Sequence, residues 1–165
     1  MKATPLLLLT ALLPWLACAH YSTSAGIAGG IRSVAIPVAE NDTPEAGVAE
    51  ELTERTSRAF AADGRLQVVD EDRADAALAL RVTAVEDRPF TYTAAEETQQ
   101  YRFKLTLDAQ LRKNEDGSLV LDAKAVTGWG TYDAGLSDAE GRQRAVGAAL
   151  NMVVEELVDR ATAGW

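Results

Sequence analysis

Residues Tyr101 to Arg112 alternate strictly between two kinds of side chain. Tyr101, Phe103, Leu105, Leu107, Ala109 and Leu111 are apolar, whereas Arg102, Lys104, Thr106, Asp108, Gln110 and Arg112 are polar or charged. Successive side chains of a strand point to opposite faces of its sheet. A period of two over this length therefore specifies a strand with one face in a core and the other in water. A helix would scatter the same apolar residues around its surface. The chain is committed to a sheet covered on one face.

The neighbouring segments extend that sheet. Asn114 to Gly117 predicts a hairpin turn, and Leu119 to Thr127 a returning strand with Leu119, Leu121, Ala123 and Ala125 inward. Gly128, Trp129 and Gly130 mark its end or a bulge. Upstream, Arg32 to Val38 reads as a first strand with Val34, Ile36 and Val38 on one side, and Arg65 to Asp70 as a short second one. Ala76 to Asp87 is a longer strand with Leu78, Leu80, Val82 and Ala84 inward, ended by Pro89. Thr91 to Thr98 reads as a polar loop or a continuing edge.

Two segments carry helical spacing instead. Val48, Leu52, Thr56, Ala59 and Phe60 form one stripe. Thr43 is the expected cap, Pro44 the first helical residue, and Gly64 the left-handed stop. Val146, Leu150, Val153 and Leu157, widened by Ala149 and Val154, form the second stripe, with Ser137 and Glu140 as its capping box. The order predicts an α+β fold: a two-layer sandwich with two helices packed on one face of a four-stranded mixed sheet.

The N-terminal residues have the parts of a secretory signal: Lys2, an apolar stretch from Thr4 to Ala17, then small residues around Cys18. That stretch is shorter than the ~20 residues of a membrane-spanning helix. Two cleavage readings compete. Ala17-Cys18-Ala19 fits ordinary signal cleavage and leaves His20 first, whereas Leu16-Ala17-Cys18 fits a bacterial lipobox whose cysteine is acylated. A single cysteine has no disulfide partner within its chain, and its place at the signal's edge favours lipidation of Cys18. The expected division is a signal peptide over 1–17, a lipidated flexible tether over 18–30, rich in Ser, Ala and Gly, and one domain over 31–165.

Composition narrows the chemistry. A net charge of −9 disfavours nucleic acid as a partner, because phosphate neutralisation needs clustered Lys and Arg. The one histidine and one cysteine lie together near the signal, so neither a nucleophilic triad nor a zinc site can be assembled. Asp70, Asp72 and Asp75 hint at a calcium loop, but the sixth and twelfth positions hold Asp75 and Arg81 rather than Gly and Glu. A solvated turn is the simpler reading. Gly128 and Gly130 lack the third glycine and helix of a dinucleotide fingerprint. No cofactor, metal or catalytic residue is expected.

The polar side of the alternation offers a binding face. Arg81, Arg102, Lys104 and Lys124 all point away from the helices in this register, with Arg88 and Arg112 near the ends. Such a cluster on an acidic protein suits phosphate or carboxylate groups. The competing reading is that Asp108 and Asp122, on the same face, simply pair with these cations.

Several pieces, taken in order, resemble one family. Cys18-Ala19-His20-Tyr21, Val34-Ala35-Ile36-Pro37-Val38 with Glu40-Asn41, Asp63-Gly64-Arg65-Leu66-Gln67-Val68-Val69, Ala74-Asp75-Ala76-Ala77-Leu78, Gln100-Tyr101-Arg102 and Gly130-Thr131-Tyr132 resemble the lipopolysaccharide-assembly lipoprotein family, LptE. The chain departs from it at Trp15, where the lipobox usually has leucine, and at Leu121-Asp122, where a tryptophan is usual. The resemblance implies a two-helix, four-stranded, non-enzymatic lipoprotein of the outer membrane. It further implies a seat inside the β-barrel partner LptD, delivery of lipopolysaccharide to the cell surface, and lipopolysaccharide binding through basic residues. The alternatives are a periplasmic-facing lipoprotein that regulates an envelope enzyme, and a carboxylate-dependent hydrolase.

Overall fold

The computed structural model describes residues 30–134 and 138–163. The signal, Cys18, His20 and the tether up to residue 29 lie outside these residues, as does Ser137 of the expected capping box. The elements follow in the order β1 (Ser33–Ala35), β2 (Glu40–Asn41), α1 (Val48–Asp63), β3 (Gln67–Val68), a short 3-10 turn (Glu71–Arg73), β4 (Ala76–Tyr92), β5 (Thr98–Lys113), β6 (Leu119–Asp133) and α2 (Asp138–Thr162).

The alternating segment becomes β5, the middle of three long antiparallel strands. Its residues Phe103, Leu105, Leu107, Ala109 and Leu111 are almost fully buried. Each large apolar side chain so buried contributes about 1.5–3 kcal/mol, enough to outweigh any local preference of the polar half. The helices cover that face. Val48, Leu52, Thr56 and Phe60 of α1 and Ala149, Leu150, Val153, Val154 and Leu157 of α2 enter the same core. The α+β sandwich with both helices against a mixed sheet is the observed fold.

The sheet has six strands rather than four, in the order β3-β1-β4-β5-β6, with β2 also on β4. Three of the six are minimal: β1, β2 and β3 hold two or three residues each, and β2 is the one that the spacing does not predict. β1 and β2 run parallel to β4 along one flank, at Ala76–Ala77 and then at Arg81–Val82. The chain leaves β1 after Ala35, so Val38 is 69% exposed and Ala39 is the next buried residue, not Val38 as its alternation suggests.

Helix α1 starts after Gly47, not at Pro44. Thr43 is occupied in a turn of its own. Its N–H and hydroxyl both donate to Asn41 Oδ1, at 2.9 and 2.7 Å, and its hydroxyl oxygen accepts from the Glu45 N–H at 3.3 Å. At the other end the expected stop holds: Gly64 is left-handed at φ 73°, and its N–H donates to Phe60 O at 3.1 Å.

Pro89 does not end β4. Beyond Val82 nothing among the described residues pairs with the outer flank of this strand, and a missing N–H is tolerated on such an edge. β4 therefore runs on to Tyr92 and forms a hairpin with β5, closed where the Thr93 N–H donates to Glu97 O at 2.8 Å.

Gly128 and Gly130 neither end β6 nor form its bulge. They let α2 approach. A Cβ at Gly128 would lie 2.0 Å from Ala149 O, and one at Gly130 would lie 2.3 Å from Ala145 O. The bulge lies earlier, at Ala125, with φ 52°. Val126 then takes the inward place, while Ala125 is exposed and Leu119, at the strand's start, is 43% exposed.

Candidate functional site

β5 lays Arg102, Lys104, Asp108, Gln110 and Arg112 along the face away from the helices. Register decides what joins them. On β4, Arg81 stands opposite Asp108, Glu86 opposite Lys104 and Arg88 opposite Arg102. On β6, Asp122 stands opposite Gln110, Trp129 opposite Lys104 and Thr131 opposite Arg102.

Two bulges make this arrangement possible. Arg81 and Glu86 are five residues apart, which in an unbroken strand would put them on opposite faces. The register shift between Val82 and Ala84 flips the parity. Ala84 consequently pairs with outward Thr106, and Val85 and Asp87 take the inner side. The expectation that Ala84 points inward is therefore wrong. On β6 the extra residue lies opposite Asp108, whose Oδ1 accepts the Ala125 N–H at 2.9 Å. That hydrogen bond, ahead of Lys124, holds the Asp108 carboxyl below its ordinary pKa.

All four predicted cations reach the helix-free face, but three are met by carboxylates. Arg81 lies 2.6 Å from Glu40 and 3.9 Å from Asp42. Lys124 lies 3.3 Å from Asp108 and 3.4 Å from Asp122, which raise its pKa, Asp108 chiefly. Lys104 lies 3.4 Å from Glu86, which also meets Arg88 at 3.6 Å. Arg81 and Lys124 line a groove of about 370 Å³ together with Pro37, Val38, Asp108 and Gln110.

Arg102 is different. Its guanidinium carbon sits 3.4 Å from the Phe90 ring centroid and 4.9 Å from that of Trp129. Among the described residues no carboxylate comes within ion-pair distance of it, and its buried Nε has no hydrogen-bond partner. The flanking rings are themselves 42% and 44% exposed. Sequence reasoning missed both rings. Phe90 lies beyond the proline expected to end its strand, and Trp129 beyond the expected strand end.

A second polar cluster lies on the helix side, also unforeseen. Arg142, in the first turns of α2, donates to both oxygens of Glu45 at 2.9 Å and to Asp87 at 2.8 Å, and it faces the Phe103 ring at 5.2 Å. The Tyr132 hydroxyl donates to Asp87 at 2.9 Å, and its ring stacks on Tyr101 at 5.4 Å. The hydrogen bonds to Arg142 lower the Glu45 pKa. Burial, then the hydrogen bond to Asp87, pushes the Tyr132 hydroxyl up to about 12. Every group here is saturated by another, so the cluster fastens elements rather than awaiting a ligand.

The hinted calcium loop is dispersed. Asp70 pairs with Arg73, while Asp75 accepts the backbone N–H groups of Arg32 and Ser33 at 2.8 and 2.9 Å. No group of three or more metal-ligating residues converges among the described residues. No described helix is long and apolar enough to cross a membrane.

A family model described as LptE, lipopolysaccharide-assembly, matches residues 31–161. No curated protein sequence matches the chain. Among solved structures, the chain is similar to protein XCC0632 from Xanthomonas campestris, at 20% identity and a TM-score of 0.57, covering 81% of this chain and 82% of that one. It is similar to a minor lipoprotein from Acinetobacter baumannii, at 14% identity and a TM-score of 0.55, covering 80% and 93%. It is also similar to lipoprotein B from Nitrosomonas europaea, at 14% identity and a TM-score of 0.55, covering 81% and 83%. At these identities the likeness establishes the shared fold.

Proposed function

Because this chain belongs to the lipopolysaccharide-assembly LptE family, matched over residues 31–161, we propose that it is a lipid-anchored, non-enzymatic subunit of the lipopolysaccharide transport complex. Acylation of Cys18 holds it to the periplasmic side of the outer membrane. From there it seats in a β-barrel of LptD type and helps insert lipopolysaccharide at the cell surface.

The observation that carries this reading is the match over nearly the whole described domain. The two-sided construction of the sheet agrees with it. One face is spent on the helices, and the other is an open, charged surface able to meet a partner or an anionic lipid. The cations Arg81, Arg102, Lys104 and Lys124 are the candidate contacts for lipopolysaccharide or the barrel.

Affinity purification of the full chain from native membranes in mild detergent tests the proposal. A β-barrel of LptD type should co-purify, and a lone monomer would overturn the assembly role. Mass spectrometry of the same material reads the anchor. It should find an acylated N-terminal Cys18, and an unmodified His20 at the N-terminus would refute the anchor.

A further inference from the structure

The four cations of the helix-free face are not equivalent. Around the groove, Arg81 and Lys124 are met by four carboxylates, Glu40, Asp42, Asp108 and Asp122. An anion arriving there meets surplus negative charge. Nearer the β4–β5 turn, Arg88 and Lys104 share one carboxylate, Glu86, and Arg102 is met by none among the described residues.

Arg88 and Arg102 stand directly opposite each other, a pairing of like charges that destabilises a sheet by itself. Stacked rings attract a guanidinium without neutralising it. Phe90 and Trp129 thus hold Arg102 in place and leave its charge uncompensated. A phosphate monoester, with a charge near −1.5 to −2 at neutral pH, suits an unpaired guanidinium flanked by two further cations better than a single carboxylate does.

We propose that Arg102, clamped between Phe90 and Trp129, is the anion-binding residue of this face, taking a phosphomonoester headgroup, and that the two rings are its positioning residues. The proposal rests on the reading of this face as lipopolysaccharide-binding, and it removes Arg81 and Lys124 from the contact set.

Calorimetric titration of the detergent-solubilised full chain with short-chain phosphatidic acid, against short-chain phosphatidylcholine, tests it. The wild type should prefer phosphatidic acid, and Arg102→Gln should weaken that binding by about tenfold, the loss of one charge-assisted contact. Trp129→Ala and Phe90→Ala should weaken it less, Trp129→Phe should restore it, and Lys124→Gln should bind as the wild type does, with thermal melts confirming folded variants. Titration with inorganic phosphate separates the sources: binding as tight as the lipid's assigns the site to a free anion, and weaker binding to a lipid headgroup. Unchanged binding by Arg102→Gln alongside a loss in Lys104→Gln would overturn the clamp alone. A wild type indifferent to the phosphomonoester would overturn the clamp together with the anionic reading of this face.

Discussion

Arg142 grips Glu45 with two parallel hydrogen bonds of 2.9 Å across 97 residues of sequence. Its third nitrogen holds Asp87, so one side chain ties α2 to both the loop before α1 and strand β4. The pair is part-buried, which leaves it less screened than the ion pairs elsewhere on the surface.

Arg142→Met should therefore cost about 2 kcal/mol, below the value for a fully buried pair because the site is partly open to water. Urea unfolding reads this as a lower midpoint with an unchanged slope. A midpoint matching the wild type would mean that the helices are fastened by apolar packing alone.

Gly128→Ala should destabilise by about 1–3 kcal/mol or abolish folding, since the new methyl meets the backbone of α2 at 2.0 Å. Gly141→Ala is the control, because its methyl would find only ordinary contact with the Tyr132 side chain at 3.4 Å. Thermal melts of both variants decide the point. Equal midpoints would refute the close approach.

Ala125→Gly should stabilise by about 1 kcal/mol, because Ala125 is held in the left-handed region where a Cβ is unfavourable. The gain should vanish in an Asp108→Ala background, where the Ala125 N–H loses its acceptor. A loss of stability in the single variant would show that the bulge does not form at this residue.

Stability should be flat between about pH 5 and 9 and fall on both sides. The Glu45, Asp75 and Asp108 carboxyls titrate below their ordinary values of 4.5, 3.8 and 3.8, so their contributions are complete above those values and are lost as the pH falls through the lowered ones. The Tyr132 hydroxyl is raised from 10.0 to about 12, so its contribution is complete below 10 and is lost as the pH rises toward 12. Melting temperature against pH, compared with Asp75→Asn, checks the acid limb. That variant should be less stable at neutral pH and lose less on acidification, and parallel curves would refute the role of Asp75, whose backbone hydrogen bonds from Arg32 lead its shift.

Much of the fold was legible because it rests on local periodicity. The alternation carries Phe103 to Leu111 into the core, and the helical stripes carry in Val48 to Phe60 and Leu150 to Leu157, with Tyr101 and Val146 half-buried at the margins. The start of α1 was misread because Thr43 and Asn41 satisfy each other, a choice between two hydrogen-bonded turns that spacing does not distinguish. The site was legible only as a set of cations on one face. Asp108 and Asp122 were legible as acids of the same face and do meet Lys124, whereas Glu40 was not, since it meets Arg81 only through the parallel pairing of β2 with β4.

The sequence by itself determined that a one-faced sheet would be covered by two amphipathic helices, because periods of 2 and 3.6 residues are properties of the chain alone. Only the tertiary structure decided where the parity of β4 and β6 reverses. A bulge is placed by cross-strand register, by the reach of Asp108 to Ala125, and by the room α2 needs over Gly128 and Gly130. Those reversals turn Asp87 inward to Arg142 and bring Trp129 out beside Arg102.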